Sequence, residues 1–225
     1  MGHRKTLLAT SEIYHVFNRG VEKRPIFLNR RNYLRFIELA NYYRFANAPI
    51  KFSFLKRMSP VRRRELFDKL EGEAKLLVEI FAFCLMPNHI HFLLRQLIDG
   101  GVSKFIAKMT NSYGHYFNIN NNRIGHLFQG NFGAVRIETD EQLVHVSRYI
   151  HLNPVSSYII DIEHLENYDY SSYPQYVGKR TGFCNTTEVL SLFDSVNTYK
   201  AFVSDQADYA RELENIKHLT LEAEK

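Results

Sequence analysis

The stretch from Leu76 to Arg95 limits most strongly what this chain can fold into. Leu76 to Leu85 is an apolar run rich in β-formers, Met86-Pro87-Asn88-His89 has turn chemistry, and Ile90 to Arg95 is apolar again. Two such runs joined so briefly read as an antiparallel hairpin. Its flanks supply further elements. Ile13 to Phe17 alternates as a strand does, with Arg19-Gly20 as its exit. From Asn29, a suitable helix cap, Tyr33, Leu34, Phe36, Ile37, Ala40 and Tyr43 recur at helical spacing and predict a helix to about Phe45. After Gly100-Gly101, the positions Val102, Phe105, Ile106, Met109, Tyr113, Tyr116 and Phe117 trace a second helix, ended by the polar run Asn118 to Asn122. Phe132 to Glu138 alternates again, and Thr139-Asp140-Glu141 caps a helix expected over Glu141 to Leu152, with Asn153-Pro154 as its stop.

The order is strand, helix, strand, strand, helix, strand, helix. It predicts an α+β fold, a ferredoxin-like antiparallel sheet with helices packed on one face. Residues 46 to 73 read as an inserted segment, punctuated by Pro49 and Pro60, whose short basic helix carries Arg62, Arg63, Arg64 and Lys69. From Thr187 the chain is helical and becomes acidic, so residues 1–186 are expected to form one domain and 187–225 a C-terminal helical appendage. With 225 residues, 45% hydrophobic and 24% charged, a disordered or fibrous protein is excluded. Cys84 and Cys184 make neither a disulfide framework nor a C-x-x-C zinc pair, which points to a reducing compartment. No apolar run approaches the roughly 20 residues that cross a bilayer, and Met1 to Thr6 lacks the apolar core of a signal peptide. A cytoplasmic protein with no membrane partner is expected.

The net charge of +5 hides a division. Residues 1 to 70 carry 16 Lys and Arg against 5 Asp and Glu, a balance of +11, which leaves −6 for the rest. Arg19, Lys23, Arg24, Arg30 and Arg31 are interleaved with aromatics such as Phe17, Phe27, Tyr33, Tyr42 and Tyr43. That mixture suits phosphate neutralisation combined with base stacking, so a nucleic acid is the natural partner. A solvated helix face over core aromatics would give the same composition.

His89-Ile90-His91 opens the strand after the turn. Residues i and i+2 of a strand share a face, so both imidazoles project from one side and can grip one divalent ion, while Ile90 and Phe92 face the core. Tyr149 and Asn153 lie four apart, which on a helix sets a phenol beside a carboxamide one turn away. A phenol with a pKa near 10 is a poor nucleophile, and a metal that polarises a phosphodiester makes phosphorus a better target for it. Pro154 biases Asn153 away from helical geometry.

Met86-Pro87-Asn88-His89-Ile90-His91-Phe92-Leu93-Leu94, followed by Arg148-Tyr149-Ile150-His151-Leu152-Asn153-Pro154-Val155, resembles the signature of the single-tyrosine HUH transposases of small insertion sequences. The branch it most resembles is the REP-associated tyrosine transposases. Tyr14 to Gly20, Gly125 to Phe132 and Tyr170 to Tyr173 agree, so the resemblance covers about residues 11 to 176. It implies a metal-dependent endonuclease and strand transferase acting on single-stranded or hairpin DNA through a 5′-phosphotyrosine. Carried over residue by residue, it makes His89 and His91 metal ligands, Asn153 the third ligand where mobile relatives usually have Gln, and Tyr149 the nucleophile. The ion would be Mg²⁺ or Mn²⁺. Arg19, Lys23, Arg24, Arg30, Arg31, Arg62, Arg63 and Arg64 are the candidate DNA contacts. Mobile relatives act as dimers and REP-associated ones as monomers, so monomer and homodimer both stand as expectations.

Tyr113 and Tyr116 are rival nucleophiles, but their place in an apolar stripe favours core roles. A histidine-triad hydrolase is excluded because its third histidine would fall at Leu93. The competing function is a module that binds a nucleic-acid hairpin without cutting it.

Overall fold

A computed structural model gives the fold, and residues 7–73 and 75–205 are described, residue 73 by its backbone only. Four strands, β1 (Ile13–Arg19), β2 (Val78–Met86), β3 (His89–Gln96) and β4 (Gly133–Ile137), form one antiparallel sheet in the order β2-β3-β1-β4. With α1 (Arg30–Tyr43) between β1 and β2 and α4 (Gly101–Asn120) between β3 and β4, this is the expected ferredoxin-like arrangement.

Strand alternation sorts the side chains. Tyr14 and Val16 of β1, and Ile90, Phe92 and Leu94 of β3, turn toward α1 and α4 and join Phe36, Phe105 and Tyr113 in a continuous apolar core. In β2 the alternation is broken once, by a register shift between Ile80 and Ala82. Val78, Ile80, Phe83 and Leu85 belong to that core, whereas Phe81, Ala82, Cys84 and Met86 belong to a second one. A bulge of one residue is what lets a single strand serve both in this way.

The second core lies on the opposite face, beneath α5 (Asp140–Ser156), which packs over β2 and β3. Helices therefore cover both faces of the sheet. The one-face arrangement holds for α1 and α4, and the third long helix is on the other side. The tail follows α5: α6 (Tyr173–Tyr176), α7 (Thr187–Leu190) and α8 (Val196–Ser204) contribute Tyr176, Val189, Tyr199 and Val203 to the second core. The acidic end of the expected appendage lies outside the described residues. The inserted segment forms α2 (Phe52–Leu55) and α3 (Pro60–Glu73), and its Phe52, Leu55 and Leu70 are buried in the first core.

α5 begins as its sequence indicates. The Thr139 hydroxyl accepts from the Gln142 amide at 3.1 Å, and the Gln142 side chain accepts in return from the Glu138 amide at 2.8 Å. It does not stop at Asn153-Pro154 as expected but runs on to Ser156. Pro154 lacks the amide that would bond the Ile150 carbonyl, a loss of one rung near the helix end, and the ring is buried with its neighbours Leu152 and Val155.

Candidate active site

Because β1 and β3 are neighbours in the sheet, with Phe17 opposite His91 and His15 opposite Leu93, the odd-numbered residues of both strands share the α5 face. His15, Phe17, His89 and His91 form one patch there. α5 covers the β2–β3 half of this face, and β1 and β4 join the second core at Ile13 and Ile137 but are open farther along, where Phe17 is 39% and Val135 53% exposed. Beside Phe17 runs a groove of about 960 Å³, lined among others by Phe17, Arg19, His89, His91, Asn131 and Tyr149.

The histidines are linked to fixed partners. His91, only 6% exposed, holds its Nδ1 2.9 Å from His15 Nε2, and the two rings stack at 5.1 Å. His89 meets His91 edge-on at 4.9 Å, and its Nδ1 is 2.6 Å from Asn88 Oδ1. Asn88 Oδ1 can only accept, so His89 Nδ1 is the donor and its Nε2 has the lone pair. Burial lowers the pKa of His15 to about 4, so at neutral pH it is an uncharged imidazole that orients His91. Tyr149 projects from α5 onto this patch, 41% exposed, with its ring edge-on at 5.6 Å from His91 and 5.8 Å from His15. One turn later Asn153 is buried, and its Nδ2 donates to the Tyr149 carbonyl at 2.8 Å, which leaves Oδ1 as the atom it would offer a ligand.

Among the described residues no three His, Cys, Asp or Glu side chains are grouped to hold a metal. The donor set nevertheless fits a hard or borderline divalent ion. It has two adjacent imidazoles, each with Nδ1 engaged by a neighbour so that Nε2 is the nitrogen each would offer an ion, and a carboxamide or phosphate oxygen would complete it.

The family model described as Transposase IS200 like matches residues 53–153, a span that holds both histidines, Tyr149 and Asn153. Over that span the chain is similar to the IS200-like transposases. A solved structure of a REP-associated tyrosine transposase bound to a REP hairpin has the same fold, at 15% identity and a TM-score of 0.53, covering 80% of this chain and 87% of its own. No curated protein matches the chain.

The IS200-like match starts inside α2 and so leaves out β1, which supplies His15. His15 carries no motif of its own, and only the alternation of Ile13 to Phe17 together with a ferredoxin-like order that sets β1 beside β3 marks it in the sequence. The rival tyrosines are elsewhere. Tyr113 is fully buried on the α4 side, its hydroxyl donating to the Ile26 carbonyl at 2.5 Å, and burial raises its pKa far above the ordinary phenol value. Tyr116 is half-buried with the Arg35 guanidinium over its ring at 5.0 Å.

The basic block is not one patch. Arg19 and Lys23 line the groove, and Arg19 Nε donates to Gln129 Oε1 at 2.8 Å. Arg24 is exposed and paired with Glu22 at 2.7 Å, Arg30 lies 3.6 Å from Asp169, and Arg31 is exposed on the first turn of α1. Arg62 and Arg64 are exposed and Arg63 half-buried on α3, and none of the three lines the groove. The interleaved aromatics are mostly core: Phe27, Tyr33, Tyr42 and Tyr43 are buried, and Phe17 alone of those five is exposed.

Among the described residues no helix is long and apolar enough to cross a membrane.

Proposed function

We propose that this chain is a metal-dependent endonuclease and strand transferase for single-stranded DNA carrying a hairpin, with Tyr149 as its nucleophile. The observation that carries the reading is the meeting of a half-exposed Tyr149 with the histidines of β1 and β3 at the open groove. A helix residue from late in the chain and strand residues from early in it converge there, which packing alone does not require. His89 and His91 would hold the ion through Nε2, with Asn153 Oδ1 as the third donor. When bound, Mg²⁺ or Mn²⁺ supplies positive charge at a nonbridging oxygen of the scissile phosphate.

In this reading the Tyr149 oxygen forms a bond to phosphorus, the bond from phosphorus to the 3′-oxygen breaks, and the 5′ side of the downstream strand stays on the protein. His15 keeps His91 in one tautomer. Arg19, oriented by Gln129, and Lys23 neutralise backbone phosphates in the groove. Arg24, Arg30 and Arg31, and more remotely Arg62, Arg63 and Arg64, would meet the hairpin stem, which makes those sites a binding surface separate from the reaction centre. The hairpin itself is the ligand of the structure matched above, carried to this chain as part of the proposal.

Incubating the protein with a labelled, tailed DNA hairpin and Mn²⁺, then running denaturing electrophoresis, tests this. The expected result is a protein-linked downstream fragment that disappears with chelator, and a His91→Ala variant that still binds the hairpin but forms no adduct. Equal reaction in chelator would remove the metal from the mechanism. Hairpin binding with no adduct under any metal would favour the non-catalytic binding module.

A further inference from the structure

The basic block's mixture of cations and aromatics suits base stacking, and of Phe17, Phe27, Tyr33, Tyr42 and Tyr43 the fold buries the last four and leaves Phe17 exposed. Phe17 sits in the groove on the same face as His15 and His91, its ring 5.3 Å and 6.3 Å from theirs. Directly opposite in the sheet is Gly133 of the edge strand β4. A Cβ at that position would come within 2.4 Å of the Phe17 ring, so the ring lies against bare backbone and no other residue fits beneath it. The ring is thus held at one side while 39% of the residue stays open to the groove. Its neighbours there are cations, Arg19 and Lys23, together with the carboxamide of Asn131.

A fixed, half-exposed aromatic between a phosphate-binding edge and a reaction centre is the arrangement that single-strand binding uses. Bases stack on the ring while cations take the backbone, and any base serves because each has a π-face. We propose that Phe17 is the stacking platform for one nucleobase of the strand in the groove, beside the phosphate that Tyr149 would attack. This rests on the proposed function above for its ligand, single-stranded DNA. Covering an edge glycine is by itself a structural service that an aromatic can perform. The test therefore uses a readout that structure alone does not move.

The probe is a DNA hairpin with a single-stranded thymidine tail, and the same tail with an abasic residue at each position in turn. Binding is measured in chelator, so it does not depend on cleavage. For the wild type, one tail position should lose about 5- to 150-fold in affinity when its base is removed, the span expected for one stacked base. Phe17→Leu should bind the intact tail that much more weakly and be indifferent to the abasic residue, while Phe17→Trp should keep the discrimination. Gly133→Ala, which displaces the ring without removing it, should weaken discrimination as Phe17→Leu does. Circular dichroism of each variant confirms folding, and the wild-type abasic profile stands even where a variant does not fold. A wild-type profile flat across the tail, or Phe17→Leu discriminating as well as wild type, overturns the platform. Those outcomes are separate from loss of the Tyr149 adduct, which would overturn the proposed chemistry and leave the stacking result standing.

Discussion

The two faces of the sheet are built by the same strands with the same alternation, and they differ in how far their cover extends. On one face α1 and α4 seal the sheet, and Tyr14, Val16, Phe92 and Leu94 are all buried in an apolar core. On the other, α5 and the tail close the β2–β3 half with Leu93, Ile150 and Val155 and take in Ile13 and Ile137 at one end of β1 and β4, while Phe17 and Val135 of those strands stay exposed. Phe17 and His91, each one position away from core residues in sequence, become groove residues for that reason, with His15 behind His91. Chemistry collects where the helix layer ends, because there a side chain can be held on one side by packing and remain open to a ligand on the other.

The same contrast exists within α5. Tyr149 looks out over the open half. Two residues on, His151 is fully buried in the closed half, with Nδ1 2.8 Å from the Tyr199 hydroxyl of α8 and Nε2 2.8 Å from Ser172 Oγ, while Ser172 Oγ in turn accepts from the Phe83 amide of β2. This network ties the helix that carries Tyr149 to the sheet on one side and to the tail on the other.

The largest difference should appear in stability. Phe92→Ala empties a fully enclosed site and should cost about 3–5 kcal/mol, whereas Phe17→Ala on the open half should cost about 1 kcal/mol or less. Urea unfolding of the two variants measures this, and equal losses would break the comparison of the faces. A smaller effect concerns His151, whose pKa burial lowers to about 3 from an ordinary 6.5. Between those values the unfolded chain binds a proton that the folded chain does not. Stability from this group is therefore whole above pH 6.5 and falls as pH drops, by about 1.4 kcal/mol per pH unit. His151→Gln should unfold less steeply with acid than the wild type by that increment, and identical slopes would mean that the closed half admits the proton.

The strand and helix order was legible because periodicity switches cleanly at Gly20, Gly100-Gly101 and Thr139. The second helical layer was not. α5 reads as an ordinary amphipathic helix, and the register shift between Ile80 and Ala82, which gives β2 residues to both cores, has no mark within an apolar run. Pro154 misled in the other direction, since a proline near the end of a buried helix removes only one rung. At the site, His89 and His91 were readable from their i, i+2 spacing, but His15 required knowing that β1 neighbours β3. The basic block illustrates the opposite failure. Its net charge overstates the cations free to meet phosphate, since Arg35 lies over the Phe52 ring at 4.4 Å and Arg44 over Phe45 at 4.4 Å, both inside the fold's aromatic packing.

The central claim is that the open half of the histidine face is a reaction centre in which Tyr149 is the nucleophile. Peptide mapping of the covalent adduct formed on a tailed DNA hairpin with Mn²⁺ tests it most directly. The account predicts that the nucleotide is recovered on the peptide containing Tyr149, that Tyr149→Phe folds and binds the hairpin but forms no adduct, and that Tyr113→Phe and Tyr116→Phe still react. An adduct mapped to any other residue, or one formed undiminished by Tyr149→Phe, would contradict it.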